Sequence, residues 1–186
     1  MSDVAGRNTA LTLITPFRPF GATWLRILLW GARHFDFVKA PAIRMSFIHF
    51  CHWIVLDQVP TGGEQPRWRR LRPAYLVFAS NFDGSAVGYI DSFIHAMPWR
   101  MRGLWGSARG NPGILPSSGF TDWTERNAIP ASHYYCAYPE ATTSMVSAGL
   151  AIQARVEPFL AAAPKMTDDE FAAAWAELLT DVQTCL

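Results

Sequence analysis

The stretch "AYLVFASNFDGSAVGYIDSFIHAM" (74–97) decides how this chain is read. Its first ten residues are mostly aliphatic and aromatic, the composition of a strand packed on a core. Asp83-Gly84-Ser85 then turns the chain and offers Asp83 or Ser85 as a helix N-cap. Beyond the turn, Tyr89, Phe93 and Met97, with Ile90 and Ile94, recur at helical spacing and form one apolar face. Pro98 limits that helix, because its ring has no N–H to continue the ladder.

Upstream, "RMSFIHFCHWIVLD" (44–57) is apolar on both faces and reads as a strand covered on both sides. "PTGGEQP" (60–66) is a loop, so the two strands are expected to form a hairpin. Downstream, "GLWGSARG" (103–110) reads as a third strand and "HYYCAYP" (133–139) as a fourth. Between them lie the loop "NPGILPSSG" (111–119) and a short helix in "FTDWTERNA" (120–128). Thr142 or Thr143 can cap a helix running toward "EPFLAAAP" (157–164), with a kink expected at Pro158. "TDDE" (167–170) is a capping box, and Phe171, Trp175, Leu178 and Val182 then mark a C-terminal helix. The expectation is an α+β fold with a ferredoxin-like, four-stranded antiparallel sheet in ββαββα order and extra helices at both ends. Its organisation would be an N-terminal arm (1–43), a body (44–164) and a C-terminal helix (165–186).

Composition narrows the classes. With 186 residues, half of them hydrophobic and 13% aromatic, the chain can bury a core, and disorder is expected only in the first dozen residues. A formal net charge of +1 gives no electrostatic reason to expect nucleic acid. "RWRRLR" (67–72) is the one dense basic cluster and reads as a solvated loop or a docking patch. Cys51, Cys136 and Cys185 have no CxxC spacing, which fits a reducing, cytoplasmic setting and argues against a cysteine zinc site. No basic region followed by an apolar run marks a signal peptide. "FGATWLRILLWGARHF" (20–35) is interrupted by Arg26 and Arg33 and is too short to span a bilayer. An amphipathic helix packed on the body or on a second subunit is the preferred reading, and an interfacial membrane helix the alternative.

The phrases "SFIHFCHWIVLD", "YLVFASNFDGSAVGYIDSFI", "GLWGSARGNPG" and "HYYCAYPEATTS" resemble little-characterised bacterial proteins of the ferredoxin-like, dimeric α/β-barrel superfamily. That superfamily includes dye-decolorising peroxidases and chlorite dismutases, both haem enzymes. The resemblance covers roughly residues 44–160. In the peroxidases a Gly-x-x-Asp-Gly motif supplies a distal aspartate. Here the matching stretch is Ser80-Asn81-Phe82-Asp83-Gly84, with the first glycine replaced. The resemblance implies haem, a homodimer and a distal role for Asp83.

The histidines are the candidate ligands. His49 and His52 point to opposite faces of one strand, so His49 is the candidate axial haem ligand and metal-binding residue, with His52 turned away. His95 follows Asp91 by one helical turn, a spacing that lets a carboxylate orient an imidazole. His133 begins the fourth strand, and His34 falls in the arm. Asp83 is the candidate acid/base group and Arg109 the candidate oxyanion stabiliser. Each has a plainer role: buried core histidine, helix cap, loop anchor. Cys51 and Cys136 read as inert. The motifs of nucleotide-binding loops, HExxH zinc enzymes, GxSxG hydrolases and EF-hands do not occur. Two functional readings follow. One is a haem-binding, peroxidase-like oxidoreductase. The other is a non-enzymatic binding or assembly module whose aromatic sheet face is covered by a partner chain or an apolar small molecule.

Overall fold

Three antiparallel strands stand in the spatial order β1–β3–β2, with β1 at Asn8–Pro16, β2 at Ile48–Pro60 and β3 at Trp68–Asp83. This computed structural model describes residues 8–37, 40, 45–62 and 67–183. Helix α1 (Gly21–His34) joins the first two strands. After β3 come α2 (Ala86–Ala96), α3 (Pro98–Trp105) and α4 (Ser117–Asn127). Last are α5 (Thr143–Ala162), a 3-10 turn at Ala163–Lys165 and α6 (Asp168–Gln183).

β3 is central because its apolar residues alternate over its whole second half. Leu76, Phe78, Ser80 and Phe82 all point inward and are buried. The register sets Leu13 of β1 and Trp53 of β2 on either side of Phe78. Helices α2 to α4 cover this face. Tyr89 of α2 stacks on Phe82 at 3.9 Å between ring centres, and Trp105 of α3 meets Phe78 edge-on at 5.5 Å. Phe120 and Trp123 of α4 close the far side. A cavity of about 30 Å³ remains among these rings, and the Nε1 groups of Trp53 and Trp105 have no partner. That is room for roughly one water.

The four-stranded ββαββα expectation is corrected: among the described residues the sheet has three strands and there is no fourth. Residues 103–105 end α3, and Ala108 contributes only an isolated bridge to Phe17. Trp105 serves as a helical knob, with Pro98 at the helix start fixing the first turn. Residues 133–138 form an irregular crossing segment, with largely exposed side chains and no β-ladder. The third strand is instead β1, within a stretch expected to be partly disordered. The alternation of buried Leu11, Leu13 and Thr15 is the pattern of a strand with one face on the core. The cluster 67–72 is also corrected, since Trp68–Leu71 lie within the exposed first half of β3 and not in a loop. The hairpin and the α+β class stand. So do the helix after Gly84 and both terminal caps: Thr142 accepts from Met145 N–H, and Thr167 pairs with Glu170.

Candidate functional site: the Asp83 junction and the open sheet face

At the end of β3, Asp83 does not cap α2. Ser85 takes that role, its hydroxyl accepting from Gly88 N–H at 3.1 Å. Gly84 at φ +94° supplies the left-handed turn that releases the chain from the strand. Asp83 instead gathers three distant segments. A register shift in β2 between Ile48 and Phe50 leaves His49 as the extra residue of a bulge. Its Nε2–H donates to Asp83 Oδ1 at 2.8 Å. Asp83 Oδ2 accepts from Thr143 N–H at 2.8 Å and lies 2.8 Å from the Thr143 hydroxyl, which also contacts the Ser46 carbonyl. Asp83 N–H donates to Phe47 O.

The electrostatics follow from this geometry. Burial pushes the Asp83 carboxyl upward. The bonds from Thr143 N–H, His49 and the Thr143 hydroxyl outweigh burial, so its pKa lies below the ordinary aspartate value. An ionised carboxylate only accepts, which assigns the Nε2–H tautomer to His49. The junction is a charge-assisted clasp at the N-terminus of α5, where the helix dipole also favours a negative charge.

The other candidate residues are dispersed. His95 Nδ1 bonds the Asp91 backbone carbonyl at 2.7 Å, so the Asp91 carboxylate is not its partner. His133 lies exposed in the crossing segment. Arg109 sits past α3, its Nε donating to Phe17 O at 3.3 Å and its backbone N–H to Pro16 O, which makes it an anchor for the β1–α1 turn. His34 bonds Trp30 O on α1, and His52 is exposed on β2. No group of three or more metal-ligating side chains occurs among the described residues. His49 Nε2 bonds Asp83, and His95 and His133 stand on other elements, so the three histidines are not gathered at one site. Cys51 and Cys136 are unpaired and half-buried, and burial raises the Cys51 thiol. Cys185 lies outside the described residues.

The second feature is a surface. Among the described residues, helices α2 to α4 cover one face of the sheet, and no helix packs broadly on the other. Phe50 and Ile54 of β2 are 57% and 48% exposed there. Tyr75, Val77 and Ala79 of β3 alternate onto that face beside Ala10, Thr12 and Ile14 of β1. The crossing segment reaches only its edge, where Tyr134 bonds Asn8 and Asn81. Helices α5 and α6 pack mainly on each other, through Phe159 against Phe171 and Trp175. They leave Met145, Val146 and Leu150 exposed along one stripe of α5. No helix among the described residues is long and apolar enough to cross a membrane.

Comparison with family models, with curated proteins and with solved structures found no match to this chain.

Proposed function

We propose that the chain is a non-enzymatic binding and assembly module, and that the α5–α6 hairpin of a second copy covers the open face of its sheet. The observation that carries this reading is the pairing of two uncovered apolar surfaces within one chain: the sheet face at Phe50 and Ile54, and the α5 stripe at Met145, Val146 and Leu150. The hairpin and the rest of the chain carry opposite net charge. Residues 143–183 hold six acidic and two basic side chains, whereas residues 8–142 hold thirteen basic and eight acidic ones.

Sedimentation velocity at micromolar concentration tests the proposal. A dimer is expected, and Phe50→Glu with Ile54→Glu should convert it to a monomer of unchanged helix content. Leu150→Glu, on the opposite surface, should do the same. A strictly monomeric parent protein overturns the reading. So does a Soret band after expression with iron and haem precursor, because the junction would then be a cofactor site.

A further inference from the structure

Helix α1 docks on the body by one side only. Gly21 and Leu25 are buried, and Trp24 Nε1 donates to Gly103 O of α3 at 2.8 Å. The outer side is the unusual one. Ile27 and Trp30 project to solvent in line with Thr23 and His34, and the helix contains no acid. Arg33 borders this stripe, and Arg26 beside it is paired with Asp57 of β2 at 2.8 Å. A surface helix of a soluble body ordinarily turns its apolar side inward. Here an aromatic and aliphatic stripe with arginines on its border faces outward, the pattern of a helix lying in a bilayer interface.

The neighbouring elements extend the same surface. Trp30, Phe35 and Phe37 form a chain of ring contacts at 6.2 and 6.0 Å, and Arg100 of α3 bonds the Phe37 carbonyl. Next to Arg100, Trp99 is 79% exposed. Phe20, at the start of α1, is 88% exposed and held at φ +69°, a left-handed conformation that costs a bulky residue energy. Two open clefts, of about 620 and 480 Å³, share Arg18. One adds Arg102 beside Trp99, the other Arg72 and Arg109 beside Phe20, and no acid lines either among the described residues. Residues 18–37 and 98–115 together hold six arginines and one acid, Asp36; of the six, Arg26 is paired with Asp57 of β2.

We infer that this surface docks peripherally on an anionic lipid bilayer. Ile27, Trp30, Phe20 and Trp99 enter the interface, and the arginine-lined clefts receive lipid phosphates. A bilayer suits it better than a protein because its aromatic residues stand outward on a helix instead of lining a groove, with cations at the border. It is a different surface from the open sheet face, so the two proposals stand or fall separately.

Vesicle co-sedimentation tests it with the full chain. Binding is expected to phosphatidylcholine vesicles doped with phosphatidylglycerol, and to weaken with added salt and with pure phosphatidylcholine. Ile27→Glu with Trp30→Glu should abolish binding. Arg18→Glu with Arg102→Glu should weaken it about tenfold or more. All four side chains lie outside the buried core, so circular dichroism and sedimentation should match the parent. Failure of the parent to bind the anionic vesicles overturns the inference, as does equal binding by the Ile27/Trp30 variant. An Ile27/Trp30 variant that loses self-association instead of vesicle binding also overturns it, by making the surface a contact between copies.

Discussion

Helices α2 and α5 sit at opposite ends of a packing scale within one chain. α2 has eleven residues and buries Tyr89, Ile90, Phe93 and Ile94 against the sheet; α5 has twenty and buries none. Both are well capped, by Ser85 and by Thr142. Capping and propensity therefore do not separate them. What separates them is whether the chain supplies a surface to pack on. For α2 that surface is β3, joined to it by one turn. For α5 it is mainly α6, and the clasp at Asp83 ties the base of the hairpin to the body. The body is a folded core, while the hairpin is a projecting element that leaves much of its apolar surface exposed.

Mutations should expose this difference as a gradient. Phe82→Ala removes a fully buried ring stacked on Tyr89 and should cost about 3–5 kcal/mol, read as a large fall in thermal midpoint. A loss as small as a surface substitution would refute the placing of the core. Asp83→Ala should cost about 2 kcal/mol, the scale of charge-assisted hydrogen bonds. Its signature should be local, with faster amide exchange at the start of α5 and at the His49 bulge while β3 stays protected. Uniform exchange across the body would mean that Asp83 is not a clasp for the hairpin.

The same carboxylate predicts a pH effect. Its folded pKa lies below the ordinary value of 3.8, so the clasp is fully present above that value and is lost as pH falls through the lower, folded one. Acidification below the ordinary aspartate range should loosen α5 before the body unfolds, and Asp83→Asn should remove that step. At the small end, Thr167→Ala deletes one half of the capping box and should cost about 1 kcal/mol, confined to α6. Met145→Ser on the exposed α5 stripe should change monomer stability by less than about 0.5 kcal/mol while weakening self-association. If it destabilises the chain as much as Phe82→Ala, the stripe is already packed and the assembly proposal fails.

Local chemistry was legible from residue order. The strand ending at Asp83, the Gly84 turn, the periodicity of Tyr89, Ile90, Phe93 and Ile94, and the box at Thr167–Glu170 each lie within a few residues of what they contact. The β2–β3 hairpin was legible for the same reason, since its partners are joined by a short loop. The alternation of Leu11, Leu13 and Thr15 was present too, but its position near the terminus masked it as a strand.

Tertiary structure alone decided the rest. The pairing of β1 with β3 joins residues 59 to 75 positions apart, and no local pattern specifies which strand fills an open edge. Residues 103–105 and 133–138 carry strand-like aromatics, yet Trp105 packs as a helical knob and the later segment lies outside the ladder. Composition records that an aromatic residue will be buried or useful, not the backbone geometry that places it. Asp83 shows the limit most plainly. Its neighbours Gly84 and Ser85 suggest a helix cap, but Ser85 satisfies that helix first. Asp83 Oδ2 is then taken by Thr143, sixty residues away. A carboxylate's partners are settled by which donors the finished fold leaves within reach, and that requires all three dimensions.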